Sequence, residues 1–170
     1  WYGEIHGMRS VSLRYFNAAG ASFDARIGED WKYSINLIPV AIRALLLGDQ
    51  RLKVFGTDYP TPDGTCIRDY IHVDDLAGAH IAAIDHLAAG GVTTSVNVGT
   101  GVGSSVKEVL DAIERIAGSP VPFDWAERRA GDPVATYADT ARSREVLQWQ
   151  AKYGLEEIIE TAYRWHQTQV

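Results

Sequence analysis

The chain has 170 residues and a net charge of −6 at pH 7; with 46% hydrophobic and 22% charged residues it can bury one sizeable core. No Lys/Arg run exceeds two residues, which argues against nucleic acid or a membrane surface as partner and leaves any anionic ligand to a few local arginines. The apolar runs are too short to span a bilayer, no signal-peptide pattern is present, and the single cysteine, Cys66, excludes an intrachain disulfide and fits a cytoplasmic setting.

The chain opens at Trp1 inside a structural unit, with His6-Gly7 reading as the end of a helix, so a fragment of something larger is expected. Arg9–Asn17, with Val11, Leu13, Tyr15 and Phe16, predicts a buried strand that ends in an Asn-Ala-Ala-Gly-Ala loop. Ile27–Tyr33 reads as a polar loop. Asn36–Leu47 predicts a helix: Ile38, Ile42, Leu45 and Leu46 recur at helical spacing, Pro39 is tolerated in the first turn, and Gly48 is the stop.

Leu52–Phe55 reads as a short strand, Gly56–Thr65 as a long Pro/Gly/Asp loop and Ile67–Val73 as an extended segment. Asp74 is the expected cap of a helix with Leu76, Ala79, Ala83, Ile84 and Leu87 on its apolar face, ended by Gly90-Gly91. Ser95–Val98 is a strand. Ser105-Val-Lys-Glu108 forms a capping box for a helix with Val109, Leu110, Ile113 and Ile116 inward, closed by Gly118. Val121–Trp125 reads as an edge strand, Asp139 or Thr140 starts a helix running to Trp149, and Leu155–Gln167 is a last amphipathic helix. Strands alternating with helices predict an α/β fold.

Three segments carry candidate chemistry. In VNVGTGVGSSV, Gly99, Gly101 and Gly103 follow a strand and open a helix, and Asp124 lies where a dinucleotide site wants an acid. The third glycine comes one position early, which favours a tight strand-to-helix turn over a cofactor loop. In AERRAGDPVATYAD the only arginine pair, Arg128-Arg129, offers planar bidentate donors for phosphate, and Asp132 can accept from sugar hydroxyls; an exposed charged loop is the competing reading. In LRYFNAAGA, Phe16 and Asn17 stand at a strand's C-terminal end, where open α/β sheets bind ligands, or else serve as core and loop cap. His72 sits in an apolar strand and reads as a hydrogen-bonded core residue. The histidines are scattered and Cys66 has no partner at ligand spacing, so no metal site is expected, and a Ser/His/Asp hydrolase lacks its nucleophile elbow.

Together LRYFNAAGA, INLIPVAIRA, VFGTDYPTPDGTCIRDYIHVDDLA, VNVGTGVGSSV and RRAGDPVATYAD resemble, in this order, the C-terminal part of the UDP-glucose 4-epimerases, extended short-chain dehydrogenase/reductases. The resemblance covers essentially the whole chain, and its Asp-Tyr-Pro-Thr-x-Asp-Gly-Thr insert is its most specific segment. It implies the last Rossmann strands plus the smaller substrate-binding domain over residues 1–170. It also implies a UDP-hexose substrate, NAD as cofactor and interconversion of UDP-glucose and UDP-galactose through a 4-keto sugar. A UDP-pentose or UDP-uronate 4-epimerase, or a nucleotide-sugar-binding module without chemistry, are the alternatives. A homodimer of the full-length enzyme is compatible with it.

Residue by residue, the resemblance implies that Phe16, with Tyr15 nearby, touches the nicotinamide region of NAD. Asn17 lies near the diphosphate of the nucleotide sugar, and Asn36 and the Leu37 backbone hold that diphosphate. Lys53, Val54 and Phe55 run along the uracil, Lys53 through its main chain. Arg68 and Arg129 clamp the diphosphate, and Asp132 takes the ribose. Thr136 stands where a bulky or small residue limits room beside the hexose, and its size implies space for UDP-N-acetylhexosamines. The family's Gly-rich NAD turn and Tyr-x-x-x-Lys pair are absent: none of the eight tyrosines has Lys four residues later, so the 170 residues alone are expected to be inactive.

Overall fold

The computed structural model describes residues 1–170. A short helix α1 (Tyr2–His6) ends at Gly7 in the left-handed conformation, as the His6-Gly7 pair predicts. The first predicted strand divides in two. β1 (Val11–Tyr15) and β2 (Asn17–Ala19) join different sheets, so the Asn-Ala-Ala stretch expected as loop is itself a strand. The hydrophobic pattern could not reveal this, because pairing partners, not composition, make Asn17–Ala19 extended.

After α2 (Leu37–Leu47), β3 (Leu52–Phe55) and β4 (Ile67–His72), the long helix α3 (Val73–Ala88) follows without a loop. Its cap is His72, not Asp74: the His72 Nδ1 accepts from the Asp74 N–H at 3.0 Å, while Nε2 meets the Thr161 hydroxyl at 3.0 Å. The fully buried His72 is therefore a hydrogen-bonded structural residue. On α3, Leu76, Ala79 and Ala83 are buried, but Ile84 is 65% exposed and Leu87 only half-buried, narrowing the expected apolar face to Leu76 and two alanines.

β5 (Thr94–Val98), β6 (Gly103–Ser105) and α4 (Val106–Ala117) come next. Ser105 and Glu108 make the predicted capping box, and Gly118 closes the helix with φ 74°. β7 (Phe123–Ala126), β8 (Ala135–Thr136), α5 (Ala141–Leu147, with Thr140 at its N-cap position) and α6 (Leu155–Gln167) complete the chain.

Three small sheets result. β1 pairs in parallel with β5, and β3 in parallel with β7. β4 is the hub of the third, with β2 and β8 parallel to it and β6 antiparallel. Successive side chains of β4 face opposite ways, as the pleat requires. Tyr70 joins a core built by α2, α4, α6 and β3, and Ile71 joins a second core of α3, α5 and β5. The whole is a Rossmann-like α/β arrangement of parallel strands and helices. No helix is long and apolar enough to cross a membrane.

The loop before α2 is held by the end of α6. Trp31 stacks on His166 at 4.8 Å and 6°, and the Trp165 indole donates to the Glu29 carbonyl at 2.9 Å. His166 is 2% exposed, and its Nδ1 has no hydrogen-bond partner. Burial pulls its pKa from 6.5 to about 4, against a weaker upward pull from Glu29. A histidine depressed in the folded state takes a proton more readily when unfolded. Its contribution is thus intact above pH 6.5 and is lost as pH falls toward 4, to a limit of about 3 kcal/mol. Chemical denaturation of wild type and His166→Phe at pH 7 and pH 4.5 is expected to show a steeper acid loss in wild type; equal losses would assign it to other groups.

Candidate functional site

A cleft of about 770 Å³ opens between the N-terminal half of α2, the ends of β3 and β4, and the segment after β7. Ten of the eleven sequence-predicted site residues line it: Phe16, Asn17, Asn36, Leu37, Lys53, Val54, Phe55, Arg68, Arg129 and Asp132. Thr136 does not line it, although the β4–β8 register sets Thr136 opposite Arg68. Tyr15 is turned elsewhere, its hydroxyl 2.6 Å from the His80 Nε2.

The two arginines of the cleft are prepared differently. Arg68 projects from β4 and is mostly buried. Its Nη1 donates to the Ile67 carbonyl at 2.7 Å and the Pro133 carbonyl at 2.9 Å, and its Nη2 stands 3.6 Å from the Asp132 carboxylate. Holding the side chain at three points lowers the entropy lost when a ligand binds. Arg129 lies with its guanidinium 3.8 Å above the Phe55 ring, a cation–π contact that orients the fork without consuming its donors.

Arg128, the other half of the pair, is committed elsewhere. It pairs with the Asp58 carboxylate at 2.6 Å, donates to the Asp58 carbonyl, and lies 4.1 Å above the Tyr59 ring. A Cβ at Gly56 would sit 2.4 Å from that ring, so glycine is what lets Tyr59 tuck under the loop. One arginine of the pair thus folds the insert, and the other faces the cleft.

Asn36 occupies the N-cap position of α2, but its carboxamide donates to the Glu29 carboxylate at 2.9 Å rather than capping the helix. The first-turn N–H groups, Leu37 included, therefore face the cleft without a side-chain cap, and the helix dipole favours an anion there. Asn17 donates to the Asp69 carbonyl at 2.9 Å, leaving its own carbonyl oxygen free. In β3, Leu52 and Val54 are buried and Lys53 is exposed, so the Lys53 main chain runs along the cleft wall while the ammonium reaches solvent.

One residue organises the site from beneath and was not anticipated. The fully buried Asp69 accepts from Thr100 N–H at 2.9 Å and hydroxyl at 2.6 Å, from Gly101 N–H at 2.9 Å and from Ala138 N–H at 3.0 Å. A Cβ at Gly99 would lie 2.6 Å from its Oδ2. The glycine-rich turn therefore wraps a carboxylate of the protein itself, and those N–H groups are not left to cradle a cofactor phosphate. The sequence signal was an acid inside a strand, Ile-Arg-Asp-Tyr-Ile-His, which by spacing alone has no visible partner.

The insert is tied down in the same way. Asp63 accepts from the Thr65 N–H at 2.8 Å and hydroxyl at 2.7 Å, and from the Ser105 hydroxyl. Burial raises its pKa, but the Ser105 and Thr65 hydrogen bonds outweigh this and hold it below the usual carboxylate value. Burial raises the pKa of two further cleft residues, Cys66 and Tyr70, keeping thiol and phenol neutral. No cluster of His, Cys, Asp and Glu could hold a metal ion.

Known proteins share this fold and much of its sequence. The chain is 53% identical over 165 residues to the UDP-glucose 4-epimerase of Rhizobium meliloti (strain 1021), covering 97% of this chain and 50% of that protein. Among solved structures, the UDP-glucose 4-epimerase from Brucella ovis in complex with NAD superposes with a TM-score of 0.92 at 48% identity, over 96% of this chain and 50% of that one. The enzyme from Bifidobacterium longum in complex with NAD+ and UDP gives a TM-score of 0.89 at 38% identity, over 98% of this chain and 50% of that one. The chain spans about half the length of the curated relatives it matches. The profile of the NAD dependent epimerase/dehydratase family matches residues 1–99, more than half of the chain, and with the resemblance of its motifs and fold this establishes that the chain belongs to that family.

Proposed function

We propose that this chain is the nucleotide-sugar-binding part of a UDP-glucose 4-epimerase. Residues 1–170 make up its C-terminal portion, in which β1 and β5 complete the Rossmann sheet and the rest forms the smaller substrate domain. In the longer protein the reaction is the NAD-dependent interconversion of UDP-glucose and UDP-galactose. The observation that carries this reading is the convergence of Arg68, the stacked Arg129 and the uncapped N-terminus of α2 on one cleft.

That convergence suits a diphosphate. Two guanidiniums and first-turn N–H groups surround one volume in an otherwise acidic chain, so the positive field is local. The main chain of Lys53, Val54 and Phe55 supplies an edge for the uracil, and Asp132, oriented by Arg68, accepts from the ribose. UDP is held at several points while the hexose, joined only through the diphosphate, keeps the freedom to turn. This separation of a firm grip from a loose one is what presenting either face of C4 requires.

Phe16 is the residue of this chain that would meet NAD. It is half-buried at the end of β1 and lines the cleft, a flat apolar surface suited to a nicotinamide ring. NAD, when bound, supplies hydride acceptance and return at the hexose C4. Cys66 and Tyr70 stay neutral and Asp132 is engaged by Arg68, and with no Tyr-x-x-x-Lys pair among them the 170 residues alone are expected to bind without turnover. The cytoplasmic setting belongs to the same reading and rests on one free, buried cysteine.

The test is conversion of UDP-galactose to UDP-glucose by the full-length protein in the presence of NAD; no conversion would remove the reading. Thr136 does not line the cleft, and the roomier hexose site rests on the family resemblance at this position, next to Arg68 in the β4–β8 register. The same protein is expected to epimerise UDP-N-acetylglucosamine, and Thr136→Tyr to lose that activity while keeping UDP-glucose turnover. Turnover confined to UDP-glucose in the wild type would restrict the site to unsubstituted hexoses.

A further inference from the structure

The cleft holds a third arginine, which neither diphosphate nor ribose binding uses. Arg43 follows Asn36 by seven residues on α2. At 3.6 residues per turn Asn36, Val40 and Arg43 share one face, and all three line the cleft. Arg43 stands about 10 Å along the helix axis from its N-terminus, at 1.5 Å per residue. If the diphosphate sits at that N-terminus, Arg43 lies toward the end of the cleft to which the ribose carries the base. Gln50 and Lys53 line the cleft with it.

The guanidinium of Arg43 is under-used. It has five N–H donors, of which one reaches Asp49 at 3.4 Å, the long limit of a hydrogen bond, and Asp49 is about half exposed. Its Nε is buried without a partner. Arg68, by contrast, is fixed by two carbonyls on its Nη1 and keeps its remaining donors, with Asp132 at 3.6 Å, for the diphosphate. A weak, partly solvated ion pair contributes little, and unpaired buried donors cost stability unless something else uses the group.

We propose that Arg43 is a base-selecting residue: its guanidinium donates to a ring carbonyl of a pyrimidine base, with the Gln50 amide beside it. This rests on the reading of the cleft as a UDP-sugar site. Uracil carries two ring carbonyls as acceptors, and a site built around a donor for them discriminates against ligands that leave the donor unpaired.

The experiment compares UDP with ribose 5-diphosphate, which keeps the ribose and both phosphates and lacks the base, by calorimetry on the full-length protein and its Arg43→Met variant. Methionine keeps the aliphatic stem and removes every donor. UDP affinity is expected to fall about tenfold, the worth of one charge-assisted hydrogen bond, with ribose 5-diphosphate unchanged. An equal fall for both ligands would make Arg43 a phosphate-steering charge, and no fall for either would reduce it to the partner of Asp49; each overturns the proposal. Should Arg43→Met fail to fold, Arg43→Leu answers the same question, because leucine also suits a helix and carries no donor. A wild-type protein that does not bind UDP would overturn the cleft reading itself, an outcome distinct from UDP binding that ignores Arg43.

Discussion

Replacing Asp69 with alanine is expected to destabilise the chain by about 3–5 kcal/mol, the largest effect of any single substitution considered for this fold. The carboxylate is fully buried and takes hydrogen bonds from three backbone N–H groups and one hydroxyl, on the turn after β5 and the segment after β8. Alanine removes the acceptor of three N–H groups, the buried Ala138 N–H among them, while the Thr100 hydroxyl keeps the Val102 carbonyl. Asp69→Asn keeps the shape but turns an –NH2 toward the N–H groups, so it is expected to cost a substantial part of the same amount. At about 2–4 °C per kcal/mol for a chain of this size, thermal melting resolves either change. A drop below about 1 kcal/mol would mean that water or rearranged backbone satisfies these donors, and that Asp69 does not organise the turn.

Arg129→Ala is expected to weaken UDP binding to the full-length protein by about 1.5–3 kcal/mol, the range for hydrogen bonds to a charged group. Arg129 makes no ion pair and rests on Phe55, so its donors face the cleft. The neighbouring Arg128→Ala is the control. Arg128 serves Asp58 and Tyr59, and its loss is expected to loosen the Gly56–Thr65 loop and to cost UDP affinity no more than the ~1 kcal/mol of a surface pair. Calorimetry that found UDP affinity unchanged in Arg129→Ala, or the larger loss in Arg128→Ala, would reverse the two assignments.

Much of this was legible in the chain, for local reasons. α4 announces itself by a capping box and a glycine stop, and α6 by an apolar stripe at helical spacing; both occupy their predicted spans to within a residue. The same local rules fail where a distant partner decides. Asn17–Ala19 is a strand because β4 is available beside it, and His72 takes the cap of α3 because its ring is held against Thr161, 89 residues away. Ile84 fits the helical stripe, yet α3 packs inward through Leu76, Ala79 and Ala83 and leaves it outside.

The candidate site divides along the same line. The residue types suited to a nucleotide diphosphate, namely the arginines, Asn36 at a helix start and the aromatic at a strand end, were determined by the sequence alone, because donor geometry and helix termini are local properties. That Arg129 and not Arg128 faces the cleft, that the glycine turn encloses Asp69 rather than a phosphate, and that Arg43 is left with donors to spare were decided only by the tertiary structure. Each depends on which buried group is already satisfied, and hydrogen-bond satisfaction across tens of residues is a property of the folded molecule and not of any segment of it.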